Sequence, residues 1–210
     1  MTPLLNYSVV QNNDCLLWLN SQQPKSVLYV NIDNHSQLTQ VQTFELWHGL
    51  VNSKKGFLWV RWPDSIALEG RILAKLINGM KEKGFIVDSA SNNQLLAHKA
   101  IGGFLTDGDW DSTLQGIVED VSMIYWPTSW DQRVNSKFMS KTWKVGMHME
   151  ERCDKNIIEK TIRDVMGSKD HDLIENVNKM KKLARKSVSI GGSSYIMLDN
   201  LVNSIIVMHL

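Results

Sequence analysis

The sequence predicts an α/β fold, in which a Rossmann-like parallel sheet is flanked by helices and followed by further C-terminal helices. Short apolar runs of strand length recur along the chain, and segments with the 3.6-residue period of helices separate them. From about residue 154 the helical period continues without intervening strands. The composition, with 43% hydrophobic and 21% charged residues among 210, is that of a globular protein with a sizeable core.

The chain is expected to open with a lead-in segment, residues 1–25, ahead of one domain that spans residues 26–210. Within this segment the amphipathic stretch Cys15–Leu19 is expected to dock on the domain body. The N-terminus lacks the basic region and apolar core of a secretory signal. No apolar run approaches the roughly 20 residues that span a membrane. We therefore expect a cytoplasmic protein without a membrane span.

The alternation of strands and helices begins at Ser26–Asn31, a continuous apolar run of strand length. A helix with one apolar stripe, from Val41 to Val51, follows it. Further strands are predicted at Gly56–Arg61, Gly84–Val87, Gly103–Thr106 and Met123–Trp126. Further helices are predicted at Leu73–Met80, Asn93–Ala97, Ser112–Val118 and Asp131–Lys141. Such alternation implies βαβ units and hence a parallel sheet covered on both faces.

Three helices are predicted to close the chain. Asp154 is expected to cap the first, Ile157–Met166. The pair Gly191-Gly192 is expected to separate the second, Leu173–Val188, from the third, Ser194–Met208. The second carries Lys179, Lys181, Lys182, Arg185 and Lys186. Their helical spacing favours a solvated face, and a net charge of +1 gives no field that would attract nucleic acid.

The residues that follow the predicted strands matter most, because ligands of such sheets bind at the carboxyl ends of the strands. Read in order, Ile86–Ser112 and Trp126–Asn135 resemble the signature box of the plant UDP-glycosyltransferases. Ser26–Asn31, Phe57–Val60 and Gly191–Tyr195 resemble further segments of that family, so the resemblance covers essentially the whole chain. Within the family, the chain is most similar to the 7-deoxyloganetic acid glucosyltransferase-like enzymes, which act on iridoid aglycones.

The resemblance implies one half of a glycosyltransferase-B fold, the C-terminal domain that binds a UDP-sugar donor. In the family an N-terminal domain binds the acceptor and carries a histidine base with its aspartate partner. Met1–Leu4 resembles the end of that domain's last strand, and no residue of this chain matches the base. Inverting transfer needs a base within hydrogen-bond reach of the acceptor hydroxyl. We therefore expect a truncated protein that does not transfer sugar by itself.

The donor site that the resemblance implies is degenerate. Ser89 stands at the position of the tryptophan that stacks on uracil, Ser91-Asn92 at that of a Pro-Gln pair, and Gln115 at that of the ribose-binding glutamate. Asp107, Asp109 and Asp111 replace the diphosphate-binding histidine, a glycine and an asparagine, and Asp33-Asn34 replaces a Gly-Ser phosphate turn. The positions that keep the family's residues are Trp110, Ser112, Asp131 and Gln132.

These aspartates are expected to oppose donor binding, because they would face a diphosphate that carries about two negative charges. A like-charge contact at about 4 Å costs roughly 1 kcal/mol in water and about 4 kcal/mol at an effective dielectric constant of about 20. We therefore expect no nucleotide-sugar cofactor of ordinary affinity. In the family Asp131 and Gln132 hold sugar hydroxyls, although Asp131 can equally cap its helix. Trp110 is more typical of packing.

Other chemistry at these positions remains open. A hard cation can sit among Asp107, Asp109 and Asp111, although acids at a helix N-terminus have an ordinary capping role and no metal is expected. His35 lies beside Asp33 and can act as an acid or base, together with Asp107 or Asp109. His98 matches a family position and is expected to be structural. Neither Cys15 nor Cys153 lies in a nucleophile or disulfide motif.

Three functions remain compatible with the sequence. The chain can be a repurposed enzyme of the cyclase or isomerase type, or an auxiliary protein, that receives a small hydrophobic metabolite such as a terpenoid. It can be a non-catalytic interaction protein, as a homo-oligomer or as the partner of a glycosyltransferase domain. It can also be a UDP-sugar transferase whose N-terminal domain is supplied separately.

Overall fold

The computed structural model describes residues 12–32, 38–60, 83–87, 92–150, 154–167 and 171–208. In this part of the chain six strands form one sheet with the order β3-β2-β1-β4-β5-β6, and each neighbouring pair is parallel. The strands are β1 Val27–Asn31, β2 Gly56–Val60, β3 Gly84–Val87, β4 Ile101–Thr106, β5 Ser122–Tyr125 and β6 Gly146–His148. The predicted parallel α/β fold is confirmed.

Five of the described helices precede the last strand along the chain, and three follow it. The first five are α1 Asn12–Asn20, α2 Gln40–Ser53, α3 Asn92–Leu96, α4 Trp110–Val118 and α5 Trp130–Phe138, which runs into a π-helical turn, Met139–Trp143. The last three are α6 Lys155–Met166, α7 His171–Val188 and α8 Ser193–Met208. The helix predicted at Leu73–Met80 lies outside the described residues. No described helix is long and apolar enough to cross a membrane.

Alternate residues of the strands point to opposite faces of the sheet, and both faces are covered. Leu28 and Val30 of β1 pack in one cluster with side chains of α2 and α6. Tyr29, between them, packs in a second cluster with α1, α3, α4 and α7. Cys15 and Leu19 of α1 are fully buried in that second cluster, so the predicted docking of this stretch is confirmed.

Most predicted ends lie within two residues of the observed ones, and two features differ by more. The strand β6 was not expected, because three residues are too few to show a period in the sequence. The helix expected to run to Lys141 instead ends its α-helical part at Phe138, and the π-helical turn closes at Lys144, whose φ is 54°. Lys144 thus occupies the left-handed region in which helices commonly end. The predicted cap Asp154 is confirmed, since its side chain accepts from the amides of Asn156 and Ile157.

The contact between α2 and α6 depends on a glycine. A Cβ added to Gly49 would lie 2.5 Å from Cγ2 of Ile158 and 3.2 Å from the carbonyl oxygen of Lys155. We expect Gly49→Ala to destabilise the fold by about 1–3 kcal/mol in urea unfolding, although alanine is otherwise the better helix former. The control is Gly116→Ala in α4, whose Cβ would meet the flexible end of Met123. Equal effects of the two substitutions would contradict this account.

Candidate functional site

The turn after β4 carries two of the residues singled out by the sequence, Asp107 and Asp109. Thr106 ends the strand, Asp107 to Asp109 form the turn, and α4 begins at Trp110. Gly108 has φ of +88°, and a Cβ there would lie 3.3 Å from the ring of Tyr125. The turn therefore needs glycine at its centre for its backbone conformation and for the close approach of β5.

Asp107 is fully buried and its carboxylate is committed to the protein interior. Its Oδ2 accepts a 2.7 Å hydrogen bond from Nε2 of Gln132. Its Oδ1 accepts weaker bonds from the Thr106 hydroxyl, at 3.3 Å, and from the Asp109 amide, at 3.4 Å. In the described conformation this carboxylate is therefore paired with Gln132, a contact that a separation of 25 residues hides in the sequence.

Gln132 joins the turn after β4 to the start of α5. While its Nε2 donates to Asp107, its Oε1 accepts from the amides of Thr128 and Ser129, at 2.9 and 3.0 Å. The Thr128 hydroxyl also donates to Oε1, at 3.1 Å. Gln132 is 7% exposed, so both ends of its amide serve internal contacts and little of it faces solvent.

Asp131, next to Gln132, points outward. It is exposed, and its Oδ1 accepts a 2.5 Å hydrogen bond from the Ser129 hydroxyl. This bond lowers the pKa of the carboxyl below its ordinary value. Of the two alternatives for Asp131, the one in which it is the N-cap of its helix is wrong, because the N-cap residue is Ser129 and Asp131 lies in the first turn. Asp131 is therefore the member of the Asp-Gln pair that a ligand can reach.

The other two aspartates lie at the N-terminus of α4. Asp109 is the N-cap, and its Oδ1 accepts a 2.8 Å hydrogen bond from the amide of Ser112, which is buried. Asp111 is exposed in the first turn. Both positions suit acids because the helix dipole is positive there. Among the described residues no group of three or more His, Cys, Asp and Glu is arranged to hold a metal ion.

Asn92 and Gln115 differ in how their amides are used. The Oδ1 of Asn92 accepts from the Tyr29 hydroxyl, at 2.5 Å, and from Nδ2 of Asn31, at 2.8 Å. Burial raises the pKa of Tyr29, so this hydroxyl remains protonated and a donor. The Oε1 of Gln115 is buried and accepts no hydrogen bond from the described residues. Gln115 thus carries an unsatisfied neutral acceptor among the described residues.

Trp110 and His98 are held in different ways. Trp110 is 48% exposed and its ring lies 6.2 Å from that of Trp143, so it is only partly packed. His98 has a 3.2 Å contact from Nε2 to Oδ1 of Asn20, and its Nδ1 accepts from the Ala100 amide. His98 therefore links α1 to the start of β4. Ser89, Ser91, Asp33, Asn34 and His35 lie outside the described residues.

Sequence reasoning missed one histidine at this end of the sheet. Nδ1 of His148, the last residue of β6, lies 2.9 Å from the hydroxyl of Ser136, which is fully buried in α5. Neither residue lies in a motif, and only the unpredicted strand brings them together.

A pH dependence follows from His148. Burial lowers its pKa below the ordinary value of about 6.5, Lys137 and Lys141 act in the same direction, and Glu150 opposes them. As the pH falls below about 6.5 the unfolded chain binds the proton first, so the folded state loses stability there and not above. We expect the urea midpoint to drop between about pH 7.5 and about pH 5.5, and to drop less in His148→Gln. The variant His171→Gln, at an exposed position, should keep the wild-type pH dependence.

Comparison with known proteins identifies the lineage of this site. The sequence profile described as UDP-glucoronosyl and UDP-glucosyl transferase matches residues 36–187. The chain is 44% identical over 198 residues to a 7-deoxyloganetic acid glucosyltransferase of Catharanthus roseus, and these residues are 93% of this chain and 41% of that protein. It is 33% identical over 198 residues to an (R)-mandelonitrile beta-glucosyltransferase of Prunus dulcis, again over 93% of this chain and 41% of the relative.

Solved structures give the same result. Os79 from O. sativa in complex with UDP superposes with a TM-score of 0.84 at 32% identity, over 90% of this chain and 43% of that one. Medicago truncatula UGT71G1, complexed with UDP-glucose, superposes with a TM-score of 0.84 at 29% identity, over 98% of this chain and 46% of that one. The chain thus spans less than half the length of these relatives, and the part that it spans has the fold of one half of a glycosyltransferase-B enzyme.

Proposed function

The chain belongs to the UDP-glucoronosyl and UDP-glucosyl transferase family, and on that premise we propose that it is an auxiliary protein of plant specialised metabolism rather than a stand-alone glucosyltransferase. In this proposal the donor cleft does not bind UDP-sugars with the affinity usual for transferases and accepts a small uncharged hydrophobic metabolite instead. The observation that carries the proposal is the buried hydrogen bond between Asp107 and Gln132. This hydrogen bond occupies both side chains. In the resembled enzymes the position of Asp107 binds the diphosphate, and the position of Gln132 holds the sugar.

The electrostatics of the turn support weak donor binding. A diphosphate placed at the N-terminus of α4 would approach three carboxylates, those of Asp107, Asp109 and Asp111. Each like-charge contact at about 4 Å costs roughly 1–4 kcal/mol, depending on the effective dielectric constant. The Ser112 amide, one of the donors that a helix N-terminus offers to phosphate, already donates to Asp109. Together these terms offset most of the roughly 8 kcal/mol of a micromolar complex.

The same contacts favour an auxiliary role over a cyclase or isomerase. A general acid or base must reach the proton that it transfers. Asp107 is fully buried and hydrogen-bonded to Gln132, and Asp109 is engaged as a helix cap, so neither carboxylate is placed to exchange a proton with a ligand, although the charges of both act on it. Substituting Asp107, Asp109 and His35 together tests the alternative that the protein is a cyclase or an isomerase. A turnover that these substitutions abolish, in a variant that still folds, would favour the enzyme.

A second candidate function is a UDP-sugar transferase that acts with a separate N-terminal domain. The retained Trp110, Asp131 and Gln132 favour this candidate. It requires the donor site to bind UDP-glucose in spite of its aspartates.

Titration calorimetry with UDP and UDP-glucose, each with and without Mg²⁺, tests the proposal. We expect dissociation constants weaker than about 1 mM under both conditions. The matched control is Medicago truncatula UGT71G1, whose solved complex contains UDP-glucose. A micromolar dissociation constant for this chain would overturn the proposal and support the split transferase. A micromolar constant only with Mg²⁺ would overturn it as well, and would place a cation among the aspartates.

A further inference from the structure

The point at which the strand order of the sheet reverses lies between β1 and β4. From β1 the chain moves outward through β2 to β3, and from β4 it moves the opposite way through β5 to β6. Asn31 at the end of β1 is in register with Thr106 at the end of β4. Ligands of parallel sheets bind outside the carboxyl ends of the strands at such a reversal. Side chains that meet at the end of β1 therefore lie beside a ligand site.

Three neutral polar side chains form a network at this end of β1. Oδ1 of Asn92, the first residue of α3, accepts hydrogen bonds from the Tyr29 hydroxyl, at 2.5 Å, and from Nδ2 of Asn31, at 2.8 Å. Tyr29 is fully buried, and its ring stacks on that of Phe104 in β4 with 5.0 Å between the centroids. The core thus fixes the position of the hydroxyl that donates to Asn92.

This network orients the amide of Asn92. Because its oxygen accepts two hydrogen bonds from the interior, the NH₂ group, which can only donate, is turned the other way. Nδ2 of Asn92 makes no hydrogen bond to the described residues, and the side chain is only partly buried. A donor that buried neighbours hold in one orientation loses little conformational freedom when it binds a ligand. Such support by a second layer of residues is typical of a binding group.

We propose that Nδ2 of Asn92 binds the ligand of the cleft, that Tyr29 is its positioning residue, and that the ligand offers an uncharged oxygen acceptor, a carbonyl or a hydroxyl. The ligand class rests on the proposed function, in which the cleft accepts an uncharged hydrophobic metabolite. The charges nearby favour a neutral acceptor over an anionic one. The network contains no cation, and α3 packs against α4, whose N-terminus carries the carboxylates of Asp109 and Asp111.

Titrations with three terpenoid probes of one carbon skeleton, followed by ligand-detected NMR, test the proposal. Menthone carries a carbonyl, menthol carries a hydroxyl, and limonene has no oxygen. Asn92→Asp keeps an oxygen for Tyr29 and Asn31 but replaces the donor. We expect it to weaken menthone and menthol binding at least about fivefold, the effect of one lost hydrogen bond, and to leave limonene within about twofold. The matched control, Asn93→Asp, adds the same charge at the exposed neighbouring position and should leave all three probes within about twofold.

Tyr29→Phe tests the positioning role, because it removes the hydroxyl and keeps the ring that stacks on Phe104. We expect menthone and menthol to bind about threefold more weakly, since the amide of Asn92 is then held by Asn31 alone, and limonene to bind as before. A purely structural role of Tyr29 would weaken all three probes equally. Far-UV circular dichroism checks that the variants fold, and if Asn92→Asp does not, Tyr29→Phe decides.

Four outcomes would overturn the proposal. The wild type binds neither menthone nor menthol at about 1 mM, Asn92→Asp binds both as the wild type does, the two aspartate variants weaken them equally, or Tyr29→Phe changes all three probes alike. A loss of menthol binding without a loss of menthone binding would restrict the acceptor to a hydroxyl, and the reverse would restrict it to a carbonyl. Failure of the proposed function has a different signature, a micromolar dissociation constant for UDP.

Discussion

Restoring the family's residues at the three described aspartates, with Asp107→His, Asp109→Gly and Asp111→Asn, is expected to tighten UDP binding at least about 100-fold. The substitutions remove three carboxylates from the N-terminus of α4, each worth roughly 1–4 kcal/mol of repulsion toward a diphosphate. They also free the amide of Ser112 for phosphate, because glycine at the cap makes no side-chain hydrogen bond. Glycine costs a helix N-cap only a few tenths of a kcal/mol, so α4 should persist. Calorimetric titration with UDP measures the change.

The control for this triple variant is Asp14→Asn/Asp164→Asn/Asp172→Asn, which removes three exposed acids elsewhere and changes the net charge equally. We expect its UDP affinity to stay within about threefold of the wild type, since salt and solvent screen exposed charges that do not contact the ligand. If both triple variants bind UDP equally well, net charge rather than the turn after β4 limits donor binding. If neither gains affinity, the altered positions Ser89 and Gln115 would account for the loss.

The regular part of the fold follows from local signals in the sequence. The apolar runs of β1, β2, β4 and β5 are buried on both faces, so they are continuous rather than alternating, and they predict central strands of a parallel sheet. The strand β6 and the π-helical turn carry no such signal. Their conformation is set by neighbours, since β6 is fixed by pairing with β5, and β6 in turn brings His148 to Ser136.

The candidate site shows the same division between local and distant causes. Its positions follow from the carboxyl ends of the strands, and the resemblance to the family places Asp107 and Gln132 among them. What these side chains do depends on a contact between residues 25 positions apart, which no local pattern encodes. The helix α5 is a related case. Its buried residues include the polar Gln132 and Ser136, while Trp130 and Val134 are exposed, so its apolar pattern does not identify its inner face.

The second large expected effect is on stability. We expect Gln132→Ala to lower the free energy of unfolding by about 3 kcal/mol, because it leaves the buried carboxylate of Asp107 without its shortest hydrogen bond. Gln132→Ala also removes a second set of contacts that contributes to the free energy of unfolding. Oε1 of Gln132 accepts hydrogen bonds from the amides of Thr128 and Ser129 at the start of α5. Urea unfolding monitored by circular dichroism gives the value.

A double-mutant cycle separates the two parts. In an Asp107→Ala background no carboxylate remains to be left unpaired, so Gln132→Ala should cost only about 1 kcal/mol there, the ordinary value of a lost cap. Asp131→Asn, at the exposed neighbouring position, is the control and should lower the unfolding midpoint much less than Gln132→Ala, because it weakens only one solvent-exposed contact. Additive effects of the two substitutions would mean that the Asp107–Gln132 contact carries no energy of its own. The turn after β4 would then be free to open toward a donor, and the case for weak UDP binding would rest on charge alone.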